Sequence, residues 1–275
     1  MVKLGFHTAI WGRETMEDFR KALDEMSIVG WDGFEYAGGW LERYYDRTDE
    51  LKALLAAHDM ELTTYYCSNA YIDPATAEGE MERAKRKVDF LAEMECSLLL
   101  IDGGRKREEE NTEEDFHTVV RAANRLGEIT RSRGLISVWH QHWGSMFEYK
   151  DAFYRLMDHT DPELVYFCPD TAQLALGDFD LVETFTRYLN RIRYVHFKDL
   201  DTNRRFIENG RGIVDFPTLW KILKDADYDG WIVVDLDYTS HPPMEASAMC
   251  KKYLNQFLGV QSRRDREKHS NHAYT

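Results

Sequence analysis

The chain has 275 residues, of which 43% are hydrophobic and 13% aromatic, and its formal net charge is −14. This length and apolar content fit one large α/β domain with a substantial core. The acidic charge argues against duplex nucleic acid or an anionic membrane as a partner, because the long-range field between them is repulsive.

No segment has the pattern of a membrane span or a secretory signal, since no apolar run approaches the ~20 residues that cross a bilayer. The four cysteines are scattered and include no CxxC pair. Cys96 and Cys168 fall in or beside apolar runs, where a free cysteine behaves as a small hydrophobe. These features predict a cytoplasmic protein with reduced thiols.

Short apolar runs alternate with stretches of helical period along the whole chain. Strands that are separated by helices must run parallel, and such crossovers are right-handed. The pattern predicts eight strands, at Lys3–Ile10, Asp32–Tyr36, Glu61–Tyr66, Ser97–Asp102, Leu135–His140, Leu164–Asp170, Arg193–Phe197 and Trp231–Asp235.

Local signals mark where several of the helices begin. Thr15 with Asp18, and Asn111 with Glu114, have the spacing of a capping box before the first and fourth helices. Asp215 precedes a Phe–Pro pair, and proline is favoured in the first turn of a helix. These signals predict helix starts at all three places.

Eight strand–helix units fit either a closed barrel or an open doubly wound sheet. The open sheet normally carries a glycine-rich phosphate loop after its first strand, where this chain reads HTAIWGRET. We therefore predict an α/β fold, a single-domain (β/α)8 TIM barrel, over residues 1–260. The polar tail at 261–275 is predicted to be disordered or to contact another subunit.

Ionisable residues stand at the C-terminal ends of four predicted strands: His140 with His142, Asp170, His196 and Asp235. In a barrel of this class the active site lies at that face, so these side chains are expected to converge. Nitrogen and oxygen donors brought together there suit a divalent metal. Two simpler roles remain open, since Asp170 can cap the next helix and His196 can be a core residue.

Polar residues close to these strand ends are further candidates. Glu148, in the loop after the fifth strand, can complete the metal shell in place of His142, and the sequence leaves that choice open. Lys198 is a candidate proton donor. Asp199 is a candidate to orient His196.

Other residues after the strands predict a pocket for a sugar-sized substrate. Trp11 and Trp143 can pack their faces against a C–H-rich ring. Glu35 either contributes to the pocket or is an exposed residue beside a turn. Arg211 either reaches an oxyanion or remains at the surface, and the segment 103–105, Gly–Gly–Arg, can bind one phosphate.

Seven segments, taken in order, closely resemble the xylose isomerase-like barrel superfamily, and more narrowly its sugar isomerase/epimerase branch with inosose dehydratase-like members. The resemblance spans nearly the whole chain and implies the same barrel fold. The segments are HTAIWG, GFEY, HQHWGSMFE, PDTAQLALGD, YVHFKD, GRGIVDFP and DGWIVVDLD.

The family's metal site takes a glutamate, an aspartate, a histidine and a second glutamate from strands five to eight. The resemblance places the last three at Asp170, His196 and Asp235, with aspartate in place of the final glutamate. The strand-five position reads HQH, as in the inosose dehydratase-like branch, with Glu148 following. Gln173, an expected substrate contact, stands where that branch often has a histidine.

The resemblance implies a metal-dependent enzyme, with Mn²⁺ expected ahead of Co²⁺, Mg²⁺ or Zn²⁺, that acts next to a carbonyl of a keto-polyol or sugar through an enediolate. His142 or Glu148 is the expected base, and His140 or Lys198 the expected acid. Loss of a β-hydroxyl would make the enzyme a dehydratase, which the HQH segment favours slightly. Return of the proton would make it an isomerase or epimerase.

Two further hypotheses are a metal-dependent phosphodiesterase and a non-catalytic sugar-binding barrel. The acidic charge and the lack of a basic stripe disfavour the first. The competent donors at the mapped ligand positions disfavour the second. The expected partner is therefore a small polyol or sugar, and a homo-oligomer is one expected arrangement, as in many members of the superfamily.

Overall fold

The structure is a computed structural model that describes residues 1–36, 39–69, 71–108 and 110–272. Its strands are β1 (Lys3–His7), β2 (Gly33–Tyr36), β3 (Glu61–Asn69), β4 (Leu98–Gly103), β5 (Ile136–His140), β6 (Val165–Cys168), β7 (Tyr194–Phe197), β8 (Asp199–Leu200), β9 (Phe206–Ile207) and β10 (Trp231–Val234). Its α-helices are α1 (Met16–Val29), α2 (Thr48–His58), α3 (Pro74–Glu93), α4 (Glu113–Ser132), α5 (Lys150–His159), α6 (Thr171–Leu176), α7 (Leu181–Arg187), α8 (Phe216–Asp225), α9 (Pro243–Phe257) and α10 (Arg263–His272). Short 3-10 helices lie at Thr8–Trp11, Trp40–Tyr44 and Leu189–Arg191.

The chain divides into two compact units. The first unit comprises Met1–Thr63 and Tyr194–Thr275, and the second comprises Thr64–Arg193. The division falls within β3, whose residues 61–63 belong to the first unit and whose residues 64–69 belong to the second.

The first unit contains four parallel strands in the order β2-β1-β10-β7. Its core is aromatic: Phe6 packs on Trp31 with ring centroids 5.2 Å apart, and Phe19 of α1 packs on Phe34 at 5.4 Å. These four rings are essentially inaccessible to solvent. The strands are therefore fixed in register by a dense core, which aligns their C-terminal ends.

The second unit contains four parallel strands in the order β3-β4-β5-β6. Phe153 of α5 packs on Phe167 of β6, with centroids 5.1 Å apart, and Trp139 of β5 packs edge-on against Phe147. Each strand of this unit leads into a helix, as the apolar periodicity predicts. Among the described residues, every helix is too short or too polar to cross a bilayer.

The predicted helix starts are largely confirmed. Thr15 and Asp18 form a reciprocal capping box at α1, and Asp215 accepts the Thr218 N–H at the start of α8. The start of α4 is shifted by one residue from the prediction, because the capping box is made by Thr112 and Asp115.

Asn111, the residue predicted to cap α4, holds the preceding loop instead. Its side chain accepts the Arg107 N–H and donates to the Arg105 carbonyl. This role could not be read from spacing, because both candidates fit the local pattern and only the loop path distinguishes them.

The C-terminal segment also differs from the predicted disorder. It forms α10 through His272, and residues 273–275 lie outside the described residues. Arg263 donates its backbone N–H to the buried Asp32 carboxylate, and Asp265 lies 3.1 Å from Lys251 of α9. Polar anchors of this kind, rather than apolar residues, order the start of the tail against the first unit.

Candidate functional site

The register of the first unit brings ionisable residues to one level at the strand ends. His7 of β1 pairs with Glu35 of β2, and Phe6 pairs with Val234, so Asp235 lies level with His7. Side chains at the same level of neighbouring parallel strands point to the same face, as do residues two apart along one strand. His196, which pairs with Val233, therefore shares that face.

Contacts among these residues form a compact buried cluster. His196 Nε2 lies 2.8 Å from Glu35 Oε2, which also accepts a hydrogen bond from the Tyr194 hydroxyl at 2.8 Å. His7 Nδ1 lies 3.5 Å from Asp235 Oδ1. Each of the five side chains is less than a tenth exposed. Glu35 is thus a member of the cluster, and the alternative of an exposed glutamate is wrong.

Electrostatics within the cluster hold Glu35 ionised. Burial by itself raises the pKa of this carboxyl, but attraction to His196 and His7 outweighs it and leaves the pKa below its ordinary value. A buried carboxylate is tolerated only where cationic groups or hydrogen-bond donors compensate its lost hydration. The cluster is therefore built around negative charge that needs a positive partner.

Lys198, a predicted proton donor, supplies part of that positive charge. Its ammonium group donates to Asp235 Oδ2 at 2.9 Å and also to the Asp237 carboxylate. The lysine side chain is only 1% exposed. The structure therefore places the predicted acid against the predicted ligand Asp235.

His7 is a residue that the sequence reasoning missed. It stands at the C-terminal end of β1 and is 4% exposed. His7, Asp235 and Asp237 each offer a ligand atom within 4.8 Å of one another, so this histidine and aspartate group can hold a metal ion. The signal that identified His196, a histidine at the tip of an apolar run, applies equally to His7.

In the second unit the predicted ligands His140 and Asp170 meet. His140 Nε2 lies 3.3 Å from Asp170 Oδ2, and both side chains are buried. The other carboxylate oxygen, Oδ1, accepts the backbone N–H groups of Ala172 and Gln173 and so caps α6. The two roles weighed for Asp170 are thus compatible, because each uses a different oxygen.

The opposite nitrogen of His140 faces Tyr66, whose partner Asp102 the sequence reasoning did not single out. Tyr66 donates its hydroxyl hydrogen to Asp102 Oδ2 at 2.6 Å, and the Tyr66 hydroxyl oxygen lies 3.3 Å from His140 Nδ1. Asp102 ends an apolar run, LLLID, by the criterion that found Asp170. This chain of contacts fixes the orientation of the His140 ring.

His142 has a defined tautomer. Its Nδ1 lies 2.6 Å from the Trp143 carbonyl oxygen. A carbonyl only accepts, so Nδ1 carries the hydrogen and the neutral ring keeps its lone pair on Nε2. His142 is half-buried and lines a cavity of about 670 Å³, so this nitrogen is suited to accept a proton from a bound ligand.

Glu148 is engaged elsewhere. One carboxylate oxygen is paired with Lys106, and the other accepts the Gly144 N–H at 3.1 Å. Among the described residues it belongs to no group of three or more side chains with metal-ligand spacing. Within the second unit, the structure therefore joins His140 rather than Glu148 to Asp170.

The predicted substrate contacts have mixed environments. Trp143 is 37% exposed and lines the same cavity, whereas Trp11 is buried and donates its indole N–H to Glu25. Gln173 is buried and accepts the Trp143 N–H, so it holds the loop after β5. Arg211 contacts Glu208 and His241 at the surface of the first unit.

Asp199, the predicted partner of His196, has a different role. Its carboxylate accepts backbone N–H groups from Leu200, Gly210, Gly212 and Val214. It therefore organises the loop after β7. Sequence proximity to His196 was a poor guide, because Asp199 lies beyond the end of β7, in the short strand β8.

Comparisons with known proteins agree with this architecture. An inosose dehydratase from Clostridium perfringens is 26% identical over 293 aligned positions, which cover 93% of this chain and 97% of that protein. The structure superposes on a sugar phosphate isomerase/epimerase from Parabacteroides distasonis with a TM-score of 0.77 and 21% identity, covering 94% of this chain and 96% of the other.

A D-allulose 3-epimerase from Methylomonas sp., solved in complex with D-allulose, also superposes with a TM-score of 0.77, at 19% identity, over 93% of this chain and 96% of that one. Both superpositions show a shared fold. The family described as the xylose isomerase-like TIM barrel matches residues 15–254. The predicted barrel is thereby confirmed, and the chain belongs to the xylose isomerase-like TIM barrel family.

Proposed function

We propose that this protein is a divalent-metal-dependent enzyme that acts next to the carbonyl of a keto-polyol or sugar, with dehydration of an inosose-type substrate as the favoured reaction. The buried cluster of carboxylates, imidazoles and an ammonium group at the strand ends of the first unit carries the proposal. The curated inosose dehydratase aligned above supports the reaction type, since each protein covers nearly the whole of the other.

The proposed ligands are His140, Asp170, His196 and Asp235. All four are buried, and all follow or end strands whose C-terminal ends surround one face in a barrel of this family. Two imidazoles and two carboxylates fit a borderline divalent ion, for which we propose Mn²⁺, with Co²⁺, Zn²⁺ or Mg²⁺ as alternatives. Such an ion would supply Lewis acidity that polarises the substrate carbonyl.

Proton transfer is assigned to residues whose hydrogen positions the contacts define. His142, with its lone pair on Nε2, is the proposed base that takes the proton from the carbon next to the carbonyl. Lys198 is the proposed acid. It gives a proton to the β-hydroxyl oxygen as the C–O bond breaks, so that water leaves and the substrate becomes an enone.

Epimerisation is the second candidate, and the superposition on a D-allulose 3-epimerase favours it. It shares the first step, because the same carbon loses its proton. The two outcomes then differ only in what is protonated next. Delivery of a proton to the leaving hydroxyl gives dehydration, whereas delivery to the opposite face of the carbon gives epimerisation.

An exchange experiment in D₂O separates these outcomes. The protein and Mn²⁺ are incubated with keto-inositols and, separately, with ketoses, and products are followed by NMR and by the absorbance of an enone. We expect an enone from a keto-inositol. Deuterium uptake without an enone would favour the epimerase instead, and no exchange with any of these substrates would contradict both.

The His142→Gln variant tests the assignment of the base in the same assay. Glutamine keeps a polar side chain but cannot take the proton, so exchange should fall by about 100-fold or more. His117→Gln, on the exposed face of α4, is the matched control and should exchange at the wild-type rate. Equal rates for all three proteins would refute the role of His142.

A further inference from the structure

We propose that the cavity at the C-terminal ends of β3, β4 and β5 binds a substrate that is both polyhydroxylated and anionic, with its phosphate or carboxylate group against Arg83 and Arg105. This inference rests on the proposed function, because the cavity includes the proposed base His142. It narrows the substrate class from keto-polyols and sugars in general to those that carry one acidic group.

The cavity has the size and position of a substrate site. Its volume of about 670 Å³ lies within the range of small-molecule pockets. Its wall is made by residues at the ends of three neighbouring parallel strands and the loops that follow, including Ser68, Asp102 and His142. In the barrel family those strand ends form the catalytic face.

Two arginines in the wall are not neutralised by the described part of the chain. Arg83 of α3 and Arg105, which follows β4, are exposed and form no ion pair with any described residue. Arg107 and Arg155 of the same unit are, in contrast, paired with Asp115 and Glu113. Both guanidinium groups lie in the wall of one cavity although the chain has a net charge of −14.

Glu80, one of the two acidic residues of the same cavity, is engaged by other donors. Glu80 is buried and accepts the Tyr71 N–H with one oxygen and the Thr76 hydroxyl with the other. Lys106, a third cation in the wall, is paired with Glu148. The positive charge of the two arginines is therefore left to a ligand, and a guanidinium group binds phosphate or carboxylate through two parallel hydrogen bonds.

Asp102 indicates that the rest of the ligand carries hydroxyl groups. Its side chain is buried, and its Oδ1 has no hydrogen-bond partner among the described residues, although Oδ2 accepts from Tyr66. A buried carboxylate oxygen without a donor is costly, and a substrate hydroxyl would satisfy it. Acceptor chemistry and cationic chemistry in one cavity thus fit a polyol with an acidic group.

The space beside Gly103 and Gly104, at the end of β4, is filled by other side chains. A Cβ on Gly103 would meet the Tyr71 ring at 2.9 Å, and one on Gly104, whose φ is +82°, would meet Phe147 at 2.6 Å. Both glycines are therefore required for packing. The anion is assigned to the side chains of Arg83 and Arg105 instead.

Binding to the metal-free protein tests the inference without relying on catalysis. Isothermal titration would compare D-fructose with D-fructose 6-phosphate, and D-glucose with D-gluconate, and inorganic phosphate alone would be a fifth titrant. We expect at least one acidic ligand to bind about 10-fold or more tightly than its neutral counterpart. A difference within the fructose pair would indicate a phosphate site, and a difference within the glucose–gluconate pair would indicate a carboxylate site.

Two variants locate the effect. Arg83→Gln and Arg105→Gln should each lower the affinity for the acidic ligand several-fold and leave the affinity for the neutral ligand unchanged. Arg86→Gln, an exposed arginine of the same helix that does not line the cavity, should change neither. Thermal unfolding of each variant checks that the fold is retained.

Equal affinity for acidic and neutral ligands, or identical affinities in wild type and both arginine variants, would overturn the inference. The proposed function would still stand in that case if the wild-type enzyme converts a neutral keto-inositol in D₂O. Conversely, arginine-dependent binding of an acidic ligand without any proton exchange would support the binding site while contradicting the proposed reaction.

Discussion

The strand ends of the two units carry similar residues in different arrangements. In the first unit His7, Glu35, His196, Lys198 and Asp235 are all buried, and their charged groups contact one another. In the second unit His140 and Asp170 form a buried pair, and the neighbouring strand ends line an open cavity.

This difference indicates that the two sets of strand ends have different roles. In the first unit the charged groups mainly pair with one another, so they can hold a proton or a cation in place but contribute little to substrate recognition. Groups that face a cavity, such as Asp102 and His142, are available to a ligand. A metal-dependent enzyme needs both, so the contrast between the two units is what mutation should test.

The largest expected effect follows from removing a proposed ligand in either unit. Because a bound metal contributes several kcal/mol to transition-state stabilisation, His196→Ala and His140→Ala should each lower activity by about 1000-fold or more. Both should also lose stoichiometric metal, measured by mass spectrometry of the purified protein. His117→Ala is the control and should retain metal and activity.

The metal content of these variants also tests whether both units contribute ligands. Within the first unit, His7, Asp235 and Asp237 by themselves form a group with metal-ligand spacing. If His140→Ala retained full metal occupancy while His7→Ala lost it, the ion would belong to that group and the proposed four-residue site would be wrong.

Lys198→Met should have the next largest effect. It removes the ammonium group from two carboxylates, so turnover should fall by about 100-fold through loss of the acid. Removing the ammonium partner of the buried Asp235 carboxylate should also cost about 3 kcal/mol of unfolding free energy, measured in urea without metal.

Added Mn²⁺ should restore most of the stability lost by Lys198→Met, because the cation would replace the lost positive charge, but it should not restore turnover. Lys221→Met, whose partner Asp225 is exposed, provides the control and should change neither quantity measurably. Full activity of Lys198→Met would contradict its role as the acid.

Tyr66→Phe should have a smaller effect, confined to the second unit. It removes the hydrogen bond to Asp102 and the contact that orients His140, and the loss of such supporting partners typically costs about 10-fold to 100-fold in metal affinity or activity. Metal titration and kinetics measure both. Tyr228→Phe, which removes a hydroxyl donated to the Trp231 carbonyl, should leave metal affinity unchanged.

Arg107→Gln should have the smallest effect, because it loosens the loop before α4 without touching a proposed ligand. Hydrogen bonds from Arg107, the largest cause, together with the cap to Thr112, hold the pKa of Asp115 well below its ordinary value of 3.8. A lowered carboxyl pKa stabilises the fold above pH 3.8, and that contribution is lost as the pH falls further.

The variant should therefore be destabilised by about 1 kcal/mol at pH 7, with a smaller difference from wild type at pH 3. Urea unfolding at the two pH values measures this change. A difference that is constant with pH would show that Asp115 is not the group through which Arg107 acts.

Part of the site could be predicted from the sequence alone. Asp170, His196 and Asp235 each stand at the end of an apolar run, and that position on a parallel strand already specifies which end of the sheet they occupy. His7 and Asp102 have the same signal and could have been found by applying it to every strand.

Two assignments that rested on closeness in sequence involve residues with other partners in the structure. Asp199 lies three residues after His196 but binds the backbone of its own loop. Glu148 follows His142 closely, yet its carboxylate is paired with Lys106, 42 residues away in the chain. The path of a loop depends on packing and on distant partners, neither of which leaves a local pattern.

The sequence by itself thus determined the order of strands and helices, the barrel family and the residues at most strand ends, because periodicity and strand position are local properties. Only the tertiary structure decided which charges meet: Lys198 with Asp235, Tyr66 with His140, and two arginines with no described partner in a cavity. Such pairings depend on distances through space between residues far apart in the chain, and those distances exist only after folding.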